Sequence, residues 1–204
     1  MPTRETAAAG EITAAPAVDV ANNDVIVGDA AGDVTAFSAG ASGGKTLWTG
    51  ATGGAAGTPL ISGGMVFVGS ANGKEYSLNE ATGDVDWSAT LSGTPSPAAI
   101  MNGMLFVGTS AHDLYGLKAA TGAVSWTRSG EPGAATGIAV TGGILFVEYA
   151  NGKVGGYRPS RFGMWLAQTG AGLYGTPAIV DNAVVVGAGD GNVYVYTPFG
   201  LPMI

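Results

Sequence analysis

The segment "ATGDVDW" spans residues 81–87, and "ATGAVSW" spans residues 120–126. The second begins 39 positions after the first, and the four tryptophans, Trp48, Trp87, Trp126 and Trp165, are also 39 residues apart at every step. A second marker keeps nearly the same period. The segments VIVGDAAGDVTAF, VFVGSANGKEYSL, LFVGTSAHDLYGL, LFVEYANGKVGGY and VVVGAGDGNVYVY carry Gly28, Gly69, Gly108, Glu148 and Gly187 at their fourth positions, spaced by 41, 39, 40 and 39 residues. Two independent markers with one period define an internal repeat, here in five copies.

Within a copy the pattern is one of strands. In the second, a short strand is predicted at 59–62, a turn at Gly63-Gly64 and an apolar strand at 65–69. Asn72-Gly73 then turns into an alternating strand at 74–79, with Tyr76 and Leu78 on one face, and Ala-Thr-Gly turns into a fourth strand, VDWSA. Asn-Gly between alternating runs signals a hairpin, because both turn positions need positive φ. Four short strands in about 40 residues make one blade of a β-propeller. The expected fold is therefore all-β: a five-bladed β-propeller of four-stranded antiparallel blades, with residues 1–204 as one domain. The repeat units are placed at 16–57, 58–96, 97–135, 136–175 and 176–204 plus 1–15.

A single blade cannot bury both faces, so each must stack on its neighbours. The tryptophan on the outer strand is expected to cover the seam, aimed by a glycine in the turn before it. Trp48, Trp87, Trp126 and Trp165, with Gly44, Gly83, Gly122 and Gly163, are assigned this structural part. The fifth unit has neither a tryptophan nor a clear fourth strand. Residues near 3–9 are expected to supply that strand and close the ring, which would remove exposed sheet edges. The alternatives are that "LPMI" at 201–204 supplies it, or that the chain is part of a larger propeller completed by another chain.

Composition narrows the function. Net charge is −7, and the eight Lys and Arg are scattered singly. Nucleic-acid binding needs a basic stripe to neutralise phosphates, so it is excluded, and anionic membrane surfaces are disfavoured for the same reason. With no cysteine there is no disulfide, thiolate metal site or thiol nucleophile. No apolar run approaches the roughly 18 residues of a membrane-spanning helix. The first residues lack the continuous apolar core of a secretory signal. A monomer is favoured.

The recurring order of Gly, apolar strand, Gly, Tyr or Leu, Thr-Gly and Trp resembles the repeat of pyrroloquinoline-quinone-type propellers, whose tryptophan-docking motif matches Ala81-Thr82-Gly83 and Ala120-Thr121-Gly122. The resemblance covers nearly the whole chain, and weakens at SGGKTLW, at RFGMW and in the fifth unit. It implies either quinone-dependent oxidation or an assembly scaffold or sensor domain, often extracytoplasmic. Quinone enzymes of this family resemble larger rings with a disulfide between adjacent cysteines and a bound calcium. This chain has no cysteine, five units and no acidic cluster, so no cofactor and no metal are expected.

Departures from the repeat give the candidate site. Where other units place glycine, the fourth has Glu148 followed by Tyr149, and the third has His112 followed by Asp113. Arg128, Glu131 and Tyr174 lie in nearby connections. Replacing a glycine of positive φ costs stability, so such a replacement asks for a reason. Glu148, Tyr149, His112 and Asp113, with Arg128 and Tyr174 at the rim, are the ligand-binding candidates. The leading expectation is a non-catalytic scaffold binding a protein, peptide or saccharide through loops at one face. The alternatives are a small enzyme using Glu148, His112 and Tyr149 at the channel mouth, and an engineered or excised propeller. GAGDGN at 187–192 lies between strands, which fits a hairpin turn rather than a phosphate loop. Asp29 and Asp33 are expected in a solvated turn rather than at calcium.

Overall fold

A computed structural model of the chain describes residues 8–39, 44–159, 163–181 and 183–200. The chain divides into two compact units at Thr94/Pro95. In the first, β1 (Ala17–Asp19), β2 (Asp24–Gly28), β3 (Asp33–Ser38) and β4 (Thr46–Ala51) form one sheet, and β5 (Leu60–Ser62), β6 (Met65–Ser70), β7 (Lys74–Asn79) and β8 (Val85–Thr90) form another. In the second unit, β9 (Ala99–Met101), β10 (Met104–Gly108), β11 (Asp113–Lys118) and β12 (Val124–Ser129) form the third sheet. The fourth holds β13 (Ala135–Thr141), β14 (Ile144–Tyr149), β15 (Lys153–Tyr157) and β16 (Gly163–Gln168). The fifth has three strands among the described residues: β17 (Ala178–Val180), β18 (Ala183–Gly187) and β19 (Val193–Tyr196). Every strand pairs antiparallel to its neighbour in sequence, so each sheet is a meander and matches one repeat. No described helix is long and apolar enough to cross a membrane.

Alternation along the strands sends one set of side chains to each face. Val66, Val68, Tyr76 and Leu78 leave the second sheet on the face that meets Ile26, Val34 and Ala36 of the first, and all seven are buried. The fourth sheet does the same twice. Leu145 and Val147 pack on the third sheet, while Phe146 and Val154 pack on the fifth. Burying one such side chain stabilises the seam by about 1.5–3 kcal/mol.

The third-to-fourth strand pairing carries the same irregularity in all four complete blades. Ala36, Ser77, Gly116 and Gly156 stand opposite Trp48, Trp87, Trp126 and Trp165, and the register shifts at the next residue. The residue is small in every case, and at Gly116 and Gly156 even a Cβ would fall inside the indole of its own blade. Phe67, Phe106 and Phe146 hold the other side of Trp87, Trp126 and Trp165, with ring centroids 5.9, 6.2 and 6.0 Å apart.

One sequence expectation meets a different outcome, and the closing strand falls largely outside the described residues. Residues 8–16 form no strand; Gly10 instead donates its N–H to Asp29 Oδ2 at 2.8 Å, and Ala30 N–H reaches Glu11 O at 2.9 Å. The closing strand expected near 3–9 falls mostly, and its rival at 201–204 entirely, outside the described residues. Asp29 is buried rather than solvated, because its other oxygen caps the β2–β3 turn by accepting N–H groups of Ala31 (2.9 Å) and Asp33 (3.0 Å). Burial alone would raise its pKa, but these donors outweigh burial and hold the carboxyl below its ordinary value.

Candidate functional site

The turns joining second and third strands share one geometry. Gly32, Gly73, Gly152 and Gly191 adopt φ of 94°, 81°, 84° and 82°, and His112 adopts 66° in the same position. The carbonyl of this residue accepts an N–H from just beyond the outer strand: Thr52 onto Gly32 (2.7 Å), Leu91 onto Gly73 (2.8 Å), Glu131 onto His112 (2.9 Å) and Thr169 onto Gly152 (2.8 Å). All four donor residues are buried. Thr52 and Thr169 spend their hydroxyls on that carbonyl and on Gly54 O and Ala171 O. The third copy puts a carboxylate there instead.

Glu131 is the centre of a buried polar cluster within the second unit. Its Oε1 accepts from Arg128 Nε, and its Oε2 from the hydroxyls of Tyr149 and of Tyr157, the latter at 2.7 Å. The two phenol oxygens lie 2.6 Å apart, and the Arg128 guanidinium sits 5.0 Å from the centroid of the Tyr157 ring. Coordinated substitutions make the room. Tyr149 stands where the other blades carry Asp29, Ser70, Thr109 and Ala188. Gly155 stands where three others carry Tyr76, Tyr115 and Tyr194, and a Cβ on it would fall inside the Tyr157 ring. The side chain that Gly155 lacks leaves the space that Tyr157 fills.

Burial drives both phenols well above the ordinary tyrosine value. For Tyr149 the neighbouring phenol and Glu131 add to burial; for Tyr157 the bond to Glu131 adds to it. Both therefore act as neutral donors to one carboxylate, with Arg128 supplying the countercharge. A closed set of this kind fastens the β12–β13 connection to the fourth blade; it holds no activated nucleophile.

The other expected residues do not converge on this cluster. Glu148 is next to Tyr149 on β14 and therefore leaves the opposite face, the one directed at the fifth sheet. It is buried, its Oε2 has no partner, and burial pushes its pKa up to about 7. Thr136, at the β13 irregularity beside the Gly137–Glu148 pair, also buries an unpartnered hydroxyl. His112 is exposed and contributes its backbone carbonyl. Asp113 opens β11, its amide donating to Thr109 Oγ1 at 3.3 Å. Tyr174 is exposed in the β16–β17 connection, beside Gly172 and Gly189. Among the described residues no group of three His, Asp or Glu is arranged to hold a metal ion.

Two of the tryptophans mark seams. Trp48 donates its indole N–H to Glu80 O at 2.8 Å and lies on Gly83 of the following sheet, which has φ of 77°. Trp165 donates to Pro198 O at 2.6 Å and lies on Gly200, with φ of 79°. The model for a family described as outer membrane protein assembly factor BamB matches residues 3–136 and 30–163. The chain belongs to this BamB family of PQQ-like β-propeller repeats. BamB from Moraxella catarrhalis has the same fold, with a TM-score of 0.73 and 20% identity over 96% of this chain and 64% of that one. The computationally designed Ika8 protein aligns with a TM-score of 0.78 and 20% identity over 88% of this chain and 57% of the other. This member of the BamB family thus spans less than two thirds of the length of either. No curated protein matches the chain.

Two features of this BamB-family chain were missed from sequence. The docking glycine of the last seam is Gly200, which the 39-residue period from Gly44, Gly83 and Gly122 reaches at its fourth step, past Arg161. Gly163, assigned that part, instead opens β16 without positive φ and faces the Arg128 guanidinium. Glu131 was noticed as a loop residue only; alignment of Thr52, Leu91, Glu131 and Thr169 would have marked it as a departure at a buried position.

Proposed function

We propose that this BamB-family chain is a non-catalytic scaffold that binds a protein partner through the exposed turns and connections at one end of its blades. The reading rests on the dispersal of its reactive groups. Glu148 and Tyr149 leave opposite faces of β14, His112 is exposed, and the buried Glu131 cluster directs both phenols to its own carboxylate. A general acid or base must lie within hydrogen-bond reach of a bound substrate, and these groups offer no common point of approach. The family description, an outer membrane protein assembly factor, favours a protein ligand over a saccharide and a setting in the cell envelope.

The test is a pair of measurements. A thermal-shift panel of calcium, quinone cofactor and common saccharides should leave the midpoint unchanged, whereas a ligand at 100 times its dissociation constant would add about 2.7 kcal/mol. A photo-crosslinking residue at His112 or Tyr174 should give discrete adducts with envelope proteins, and one at Val85 on the outer strand should not. A saccharide-dependent shift, or equal adducts from all three positions, would sink the proposal.

A further inference from the structure

The junction between the fourth and fifth sheets departs from the others on both of its sides. At the position of Glu148 the first and third sheets carry Gly28 and Gly108, and neither has room for one more carbon. A Cβ on Gly28 would fall 2.6 Å from Gly57 O, and one on Gly108 would fall 2.3 Å from Ala135 Cβ, in each case where the chain enters the next sheet. The chain entering the fifth sheet is one residue longer. Ala56 and Pro95, bridged to Ser70 and Thr109, stand four residues before β5 and β9 begin at Leu60 and Ala99. Leu173, bridged to Ala188, stands five residues before β17 begins at Ala178. The added residue and the added side chain therefore belong to one seam.

Glu148 is directed at this longer connection. It pairs with Gly137 on β13, so the two share a face of the fourth sheet, and a Cβ on Gly137 would meet Gly175 O at 2.8 Å and Thr176 Oγ1 at 3.0 Å. Glu148 is 1% exposed and its Oε2 has no partner; the hydroxyl of Thr136, at the irregularity beside this pair, is also buried without one. Phe146, Val154, Leu173, Val184 and Val186 make the rest of the seam apolar. Burial is the one influence that shifts the Glu148 carboxyl, so no side-chain cation or hydrogen-bond donor offsets it.

A buried carboxylate is costly unless a positive charge accompanies it. A carboxylate, a hydroxyl and a carbonyl are the oxygen ligands that hard cations take. One carboxylate balances one charge, which favours a singly charged ion over calcium. We propose that Glu148, Thr136 and the Gly175 carbonyl hold one alkali-metal ion, sodium or potassium, tying β14 to the β16–β17 connection. The site lies beneath the connection that carries Tyr174, and it stands apart from the choice of partner at the exposed turns.

Thermal unfolding of the full chain tests this at about pH 8.5, where Glu148, with its pKa of about 7, is ionised. Chlorides of sodium, potassium and tetramethylammonium are titrated in parallel, the last offering no bare charge to oxygen ligands. Sodium or potassium at about ten times its dissociation constant should raise the midpoint by about 3–6 °C over tetramethylammonium. Glu148→Gln keeps the volume and removes the charge, so it should abolish the difference between salts, whichever way it moves the midpoint itself. Thr136→Val removes one oxygen ligand and should weaken the apparent ion affinity about 10-fold. Equal midpoints in the three salts, or a sodium or potassium gain that survives either substitution unchanged, would overturn the proposal.

Discussion

The seam between the first and second sheets and the seam between the third and fourth are built on the same backbone but sealed by different chemistry. The first is apolar, with Ile26, Val34, Val66, Val68 and Leu78 in contact and small hydroxyl side chains such as Ser70 Oγ and Thr52 Oγ1 tying the turns. The other adds Arg128, Glu131, Tyr149 and Tyr157 to an apolar base of Phe106, Leu145 and Val147. An apolar seam loses stability in proportion to the area removed. A polar one depends on its shared member, since removing Glu131 takes the common acceptor from three donors at once.

That contrast can be broken most sharply at Glu131. Glu131→Ala should cost about 3–5 kcal/mol in urea unfolding, because it removes the buried carboxylate that Arg128 and both phenols share. Leu91→Ala, at the matching position, should cost about 2–3 kcal/mol as an ordinary large-to-small change. Equal losses would mean that the cluster contributes no more than its volume.

Glu148 sharpens the comparison through pH. Its folded pKa, about 7, lies above the ordinary 4.5, so the folded state holds the proton more tightly than the unfolded one. The burial cost is absent below the unfolded value, grows as pH rises, and is complete once pH passes the folded value, a loss of about 3 kcal/mol. Glu148→Gln should remove this component between pH 4.5 and 7, read as a flatter dependence of the urea midpoint on pH. Glu75, buried with both oxygens unpartnered and also pushed well up by burial, should leave a residual slope of the same sign. An unchanged slope in the Gln variant would show that Glu148 has found a partner.

The docking glycines give the next effect. Gly83→Ala should cost about 2 kcal/mol, since the new Cβ meets both a positive φ and the Trp48 ring, and Gly200→Ala should do the same at Trp165. Gly163→Ala, whose new Cβ would meet the Arg128 guanidinium at 3.2 Å and the Tyr157 ring edge at 3.5 Å without a positive φ, should cost under about 1 kcal/mol. The smallest change is a gain. His112→Gly should stabilise by about 0.5–1 kcal/mol, because glycine holds φ of 66° without strain, measured as a small rise in midpoint.

The blades were legible because turn chemistry and period are local. Asn72-Gly73, Gly63-Gly64 and the 39-residue tryptophan ladder place the strands of the second sheet within a residue or two of β5 to β8. The polar cluster was half legible. Tyr149 stood out as a departure and Arg128 as a rim residue, but alternation on β14 separates Glu148 from Tyr149. The part played by Tyr157 depended on Gly155 two residues earlier, a pairing of absence with presence that no single position announces. Gly200 was hidden by its Thr-Pro-Phe-Gly context, although the period led to it.

The docking of Trp48 and Trp165 on the sheet that follows each also makes the molecule its own optical probe. Trp48 and Trp165 each bridge a seam by a hydrogen bond to a carbonyl of the following sheet. Separation of that sheet would hydrate the indole and shift its emission to the red. The fifth sheet has no tryptophan of its own, so its release would be seen through Trp165 alone, whose ring lies 5.9 Å from that of Tyr196. Chains keeping Trp48 or Trp165 as the single tryptophan would therefore tell the opening of the first seam from the release of the fifth sheet.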